Sequence, residues 1–323
     1  MDKKTISDLE ILTAAYHNPH QAVQRYKNEG WPVFGYLTEH VPLELLYAAD
    51  ILPVRIQGGK ISDLASGHLQ NFACSYCRTA AHQAMKGDYD YLDGLLSSKT
   101  CDVSLHLFQT WTYCKPLNFS WLVSLPGNSD EEAISYFREE LSSLRAALEA
   151  YRNVKISDQE LEKAAMLYNE YRDKISQLWW KRQEGSLALT GGEIIGALKG
   201  CQVLPPEVSL KCLKGLIEDG GKTADLPNKG VPVILLGNTL VDVSIIEMIE
   251  RNGGWVVVDD TTSVGRHFGD PVMLKGDPLT SLSQFYAERL SGTYRLAYED
   301  RRDHILQLIR EWDVQASIHI LQK

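Results

Sequence analysis

The sequence has no apolar stretch approaching the ~20 residues that cross a bilayer. It also lacks a basic surplus: 33 Lys and Arg stand against 42 Asp and Glu, a net charge of −9, and the pI is near 5.5. Phosphate backbones are gripped by clustered Lys and Arg, so this balance argues against nucleic acid as the main partner, and equally against an anionic membrane surface. No nucleotide fingerprint is complete. Gly58-Gly59 and Gly191-Gly192 do not extend to G-x-G-x-x-G. Gly220-Gly221-Lys222-Thr223 resembles the end of a phosphate loop but lacks its upstream glycine and its preceding strand. ATP binding by this chain is therefore not expected. Met1-Asp2-Lys3-Lys4-Thr5 leads into a mixed polar segment rather than an apolar signal core. A cytoplasmic protein is expected, in which thiols stay reduced.

Cysteine is scarce, with six in 323 residues, yet four fall within 41 residues: Cys74, Cys77, Cys101 and Cys114, spaced C-x2-C-x23-C-x12-C. In a reducing compartment such a cluster points to metal or redox work rather than to structural disulfides. A closed zinc site usually draws on two close pairs of ligands, and only Cys74 and Cys77 form one. Iron–sulfur clusters tolerate irregular spacing because their ligands come from separate loops. Cys101 follows the strand-like Asp93-Gly94-Leu95-Leu96 and so sits at the carboxyl end of a strand, where open α/β sheets bind ligands. Cys74 and Cys101 are the leading candidate ligands, with Cys77 and Cys114 behind them. The competing reading makes all four small buried hydrophobes. Cys201 and Cys212, near Pro205-Pro206, are read as structural.

Hydrophobic patterning predicts an α/β protein with two Rossmann-like, doubly wound parallel-sheet domains joined by a helical region. Residues 1–30 read as helices, with Ser7 capping the first and Pro19 opening the second. Residues 31–128 read as the first α/β domain, carrying the thiols. Val33-Phe34-Gly35-Tyr36-Leu37, a helix through Leu45 and Ala49, and Ile51 to Ile56 make its β-α-β unit. Residues 129–229 read as helical, with capping boxes at Ser129/Glu132, Ser157/Glu160 and Thr190/Glu193; Gly220 to Gly230 is the best linker. Residues 230–323 read as the second α/β domain, with strands at Val231–Gly237 and Trp255–Asp259 around a helix at Val243–Arg251.

His40 and Glu44 flank Pro42 at the exit of the first strand and could face the same crevice as the cysteines. Each is a candidate general acid or base. The alternative for Glu44 is a helix N-terminal charge that suits the macrodipole. Asp259-Asp260-Thr261-Thr262 ends a strand and reads as turn chemistry, with Arg266 as an anion contact. Trp179-Trp180 reads as packing.

Several phrases together resemble the 2-hydroxyacyl-CoA dehydratase and benzoyl-CoA reductase subunit family, which also includes the double-cubane cluster proteins. They are Val41-Pro42-x-Glu44-Leu45 to Pro53-Val54-Arg55, Cys74-Ser-Tyr-Cys77-Arg78, Gly87-Asp88-Tyr89-Asp90-Tyr91, Thr100-Cys101-Asp102, Leu167-Tyr168-Asn169-Glu170-x-Arg172 and Val258-Asp259-Asp260-Thr261. The resemblance implies an oxygen-sensitive iron–sulfur cluster, 4Fe–4S or an 8Fe–9S double cubane, with Cys74 and Cys101 matching cluster ligands. It implies a homologous sister subunit in a heterodimer, or a homodimer. It implies a separate ATP-hydrolysing activator that injects a low-potential electron, and an acyl-CoA substrate that is dehydrated or has its aromatic ring reduced. Family members usually carry a third ligand cysteine beyond a strand resembling Val314 to Leu321, and many have one near Gly292-Thr293-Tyr294; neither is found in this sequence. Three alternatives follow: further chain supplies the ligand, Cys77 or Cys114 completes the set, or the cluster is altered or absent. The rival functions are a double-cubane reductase of small molecules and a non-catalytic partner subunit.

Overall fold

The computed structural model describes residues 7–59, 69, 70, 72–219, 230–289 and 298–321. Two helices open it, α1 (Asp8–His17) and α2 (Pro19–Asn28). Ser7 and Glu10 form a reciprocal capping box at α1, and Pro19 occupies the first turn of α2, where a missing N–H costs nothing. A first sheet follows: β1 (Val33–Tyr36), α3 (Leu43–Ala48), β2 (Leu52–Arg55), α4 (Ser75–Lys86), β3 (Gly94–Ser98), α5 (Asp102–Cys114) and β4 (Phe119–Val123). All four strands are parallel, in the order β2-β1-β3-β4. β1, β2 and β3 are buried at every residue, as expected where helices cover both faces. β4, at the edge, is buried only at Phe119 and Val123, and Ser120 is exposed.

The helical region comprises α6 (Glu131–Arg152), α7 (Asp158–Glu184), α8 (Gly191–Cys201) and α9 (Pro206–Asp219). The expected boxes at Ser157/Glu160 and Thr190/Glu193 are present. The box expected at Ser129/Glu132 is not: Asp130 is the N-cap of α6, its carboxylate accepting from the Ala133 amide at 2.8 Å. A carboxylate both accepts the free N–H and complements the helix dipole, so it outcompetes the neighbouring hydroxyl. α1 packs against α8 and α9. A Cβ added at Gly200 of α8 would collide with the Leu12 carbonyl oxygen of α1, so the two helices meet backbone to backbone there.

The second sheet holds β5 (Val231–Gly237), α10 (Ser244–Arg251), β6 (Gly254–Thr261), α11 (Gly265–Phe268), α12 (Pro278–Glu288), α13 (Tyr298–Glu311) and β7 (Ala316–Ile320). Its parallel order is β6-β5-β7. The protein is thus α/β, with two parallel sheets. The phosphate-loop-like segment Gly220 to Thr223, most of the expected linker, and Gly292-Thr293-Tyr294 lie outside the described residues. No described helix is long and apolar enough to cross a membrane.

Candidate functional site

In each sheet the chain reverses its direction of winding beside its first strand. That happens between β1 and β3 in the first sheet and between β5 and β7 in the second. Ligands of open α/β sheets bind outside the carboxyl ends at such points. Here the two carboxyl edges meet. The Arg55 amide, at the end of β2, donates to the Gln202 carbonyl at 2.9 Å, and Gln202 Nε2 donates to the Ser263 carbonyl at 2.5 Å beyond β6. Arg289, following α12, donates to the Glu39 carbonyl beyond β1.

The thiols border this edge. Cys74 is the N-cap of α4, and Cys77 is the third residue of that helix. The Cys77 thiol and the backbone amides of the first turn lie near enough to favour the charged form of the Cys74 sulfur. Together they outweigh burial and bring the Cys74 thiol down to about 6. The same proximity, with burial, holds Cys77 well above its ordinary value. Cys74 is half-buried and Cys77 is buried. Cys101 is exposed as the N-cap of α5; its Sγ accepts from the Ser104 amide at 3.3 Å. α4 and α5 pack side by side, and Cys101 lies near enough to Cys77 for its charge to act on that thiol.

Cys114 is elsewhere. It is the last residue of α5. At ~1.5 Å rise per residue that helix carries it about 20 Å from Cys101, back toward the amino edge of the sheet. The helix thus sets Cys114 apart from Cys101, with which it was expected to complete a ligand set. Cys201 and Cys212 are buried, and burial pushes their thiols up to about 12 and about 11, as suits inert core cysteines.

Glu44 lies on α3, facing α7 and α12. It has no exposed surface. Its Oε1 accepts from Arg172 Nη2 at 2.6 Å and its Oε2 from the Tyr286 hydroxyl at 2.8 Å. With both oxygens engaged, it ties together α3, α7 and α12. His40 is likewise fully buried, with Nδ1 4.0 Å from Glu39 Oε1.

Glu39 and Arg55 are the polar residues that patterning did not single out as site residues. Burial would raise the Glu39 carboxyl, but His40, Arg55 and Arg266 together hold it below its ordinary value. Arg55 is buried beside the Tyr36 ring at 5.5 Å and the Tyr76 ring at 5.9 Å. One signal was available: a buried strand ending on a charge, Pro53-Val54-Arg55, is unusual unless the charge faces a crevice. Asp259 behaves as turn chemistry. Its carboxylate accepts from the Thr261 and Gly265 amides at 2.8 and 3.1 Å, fixing the turn into α11. Arg266 donates to the Asp260 carbonyl at 2.8 Å and to the Gly237 carbonyl. Trp180 stacks on Trp312 at 4.1 Å, a packing role. Among the described residues no three His, Cys, Asp or Glu side chains converge to hold a single metal ion.

Residues 38–323 match the sequence model described as 2-hydroxyglutaryl-CoA dehydratase, D-component. The chain is similar to a benzoyl-CoA reductase subunit of Thauera aromatica, 27% identical over 86% of this chain and 74% of that protein. It is similar to the beta subunit of lactoyl-CoA dehydratase from Anaerotignum propionicum, 27% identical over 88% and 75% of the two chains. It is also similar to the beta subunit of (R)-phenyllactyl-CoA dehydratase from Clostridium sporogenes, 22% identical over 95% and 83%. All three names designate subunits of enzymes that act on acyl-CoA thioesters.

Proposed function

The chain belongs to the 2-hydroxyglutaryl-CoA dehydratase D-component family, and from that premise we propose that it is the iron–sulfur subunit of an enzyme complex that dehydrates a 2-hydroxyacyl-CoA or reduces an aromatic acyl-CoA. Its partners in this reading are a homologous sister subunit and a separate ATP-hydrolysing activator. The observation that carries the proposal is the placement of Cys74 and Cys101, each the N-cap of a helix leaving the carboxyl side of the first sheet. Soft sulfur donors suit iron–sulfur ligation. A cluster several ångströms across takes ligands from separate loops, so the thiols need not converge on one point. Cys74, acidified by Cys77, offers a thiolate at neutral pH.

Cys74 and Cys101 would hold the cluster, with Cys77 beside them, and the cluster when bound would supply low-potential one-electron chemistry. The remaining residues shape its surroundings. Arg55 puts a fixed positive charge near Cys77, and the Glu39 carboxylate lies within reach of that charge. Tyr76 donates from its hydroxyl to the Leu37 and Ile56 carbonyls at 3.0 and 2.9 Å, tying α4 to the ends of β1 and β2.

The test is turnover of candidate acyl-CoA thioesters under strict anaerobiosis, with the sister subunit, ATP and an activator. Product formation that stops when ATP or activator is withheld is expected. Full turnover with a chemical reductant alone would overturn the activator-gated part and favour a self-contained cluster reductase. Equal turnover by complexes whose copy of this chain holds no iron would make it a non-catalytic partner.

A further inference from the structure

Three arginines are buried among the described residues, and two of them are paired. Arg172 meets Glu44 at 2.6 Å, and Arg182 meets Glu250 at 2.5 Å. Arg55 differs. Its Nη1 is buried with no hydrogen-bond partner, and among the described residues no carboxylate forms an ion pair with it. Its guanidinium carbon stands 5.5 Å from the centre of the Tyr36 ring and 5.9 Å from that of Tyr76. Ring faces attract a cation but do not neutralise it. Arginine is almost never fully buried unless paired, because a desolvated charge is costly without a counter-ion. The Glu39 carboxylate lies within reach of the Arg55 charge, but Arg266 and, when protonated, His40 share it, so positive charge remains in excess.

The backbone ties Arg55 to the thiol-bearing turn. Arg55 closes β2, its amide donating to the Gln202 carbonyl at 2.9 Å. The next residue, Ile56, offers its carbonyl to the Tyr76 hydroxyl at 2.9 Å. Tyr76 stands between Cys74 and Cys77 in the first turn of α4. The guanidinium is thus packed against the turn that carries both sulfurs. We propose that Arg55 is the buried counter-charge of the iron–sulfur cluster and sets its reduction potential, an inference that rests on the iron–sulfur reading given above. Thiolate ligands make such a cluster an anion, and reduction adds one negative charge. Net charge and burial are among the terms that fix its potential. A fixed cation favours the more negative, reduced state, and does so more strongly where little water screens it. Arg55 therefore eases the loading of a low-potential electron without itself gaining or losing a proton.

The test is a redox titration followed by EPR, on full chain prepared without oxygen, with iron counted in every sample. The unsubstituted chain is compared with two neutral variants, Arg55→Gln and Arg55→Met, and with Arg55→Lys, which keeps the charge. The neutral variants should titrate at a more negative potential. At a fixed ambient potential their ratio of reduced to oxidised cluster should fall at least tenfold, about 59 mV for one electron. Arg55→Lys should recover most of that shift, which a purely structural role would not predict. Loss of iron from both neutral variants with the fold intact, beside retention in Arg55→Lys, would support the counter-charge by affinity instead. A neutral variant with full iron at the unsubstituted potential, or Arg55→Lys shifted as far as Arg55→Gln, would overturn the proposal and leave the iron-binding reading standing. Neutral variants that unfold even without iron, as seen by circular dichroism, would place the charge in the fold and overturn it too. An unsubstituted chain without iron would remove the iron-binding reading itself, and the proposal with it.

Discussion

Arg172 Nη2 lies 2.6 Å from Glu44 Oε1, and both side chains are shut away from solvent. The pair joins α7 to α3, and Tyr286 of α12 closes it by donating to the other carboxylate oxygen. Removing one member of such a pair leaves an uncompensated buried charge, at a cost of about 3–5 kcal/mol. Glu44→Gln should therefore lower the urea midpoint sharply without altering the alkylation rate of Cys74. The double variant Glu44→Met/Arg172→Met should recover much of the loss. An unchanged midpoint in Glu44→Gln, or a change in Cys74 reactivity alone, would return Glu44 to the chemistry of the site.

Lys199 gives a pH signature. Its ammonium donates to the Leu240 and Val241 carbonyls at 2.7 and 3.1 Å, pinning the loop after β5. Burial, aided by the Arg55 charge, brings it down to about 7 from an ordinary 10.5. Between those values the unfolded chain binds more protons than the folded one, so stability should rise with pH across that window. Below about pH 7 the full cost of charging the buried amine is present. Lys199→Met should flatten this slope in denaturant titrations from pH 7 to 10; a slope that survives assigns it to other groups.

Glu39 acts in the opposite pH range. Its carboxyl is held down by His40, Arg55 and Arg266. It contributes stability that is present above the ordinary carboxylate range and lost as pH falls through its folded value. Arg55→Gln removes one of the holding charges and should move the acid-unfolding midpoint to higher pH. An unmoved midpoint would mean that the two charges are not coupled.

Gly200→Ala places a methyl group against the Leu12 carbonyl. Overpacking of this kind costs about 1–3 kcal/mol. The melting temperature should fall, and the loss should localise to exchange protection in α1 and α8. Retained protection in both helices would show that the contact yields easily.

Much of this fold was legible in the sequence because local chemistry and tertiary context agree. Ser7/Glu10, Ser157/Glu160 and Thr190/Glu193 mark helix starts by hydrogen bonds made within four residues. The apolar run Val231–Gly237 has one low-energy home, a strand covered on both sides. β4 escaped notice because Phe119-Ser120-Trp121-Leu122-Val123 is an edge strand only partly buried, with no clean alternation to mark it. The site was legible in part. Cys101 stands where strand-end reasoning puts it, just beyond β3 at a helix start. Spacing along the chain could not reveal that the thirteen residues of α5 carry Cys114 away from Cys101. Nor could it show that the partners of Glu44 are 128 and 242 residues distant. Nor did patterning single out Glu39 and Arg55, buried charges that act on one another.

The account rests on iron held by Cys74 and Cys101 and not by Cys114. The direct measurement is iron and acid-labile sulfide per chain, with the visible absorbance, in protein prepared without oxygen. The unsubstituted chain is to be compared with Cys74→Ala, Cys101→Ala and Cys114→Ala. The account predicts loss of iron, sulfide and absorbance in the first two variants and full retention in the third. Full iron content in Cys74→Ala and Cys101→Ala, or its loss in Cys114→Ala with the fold intact, would contradict it.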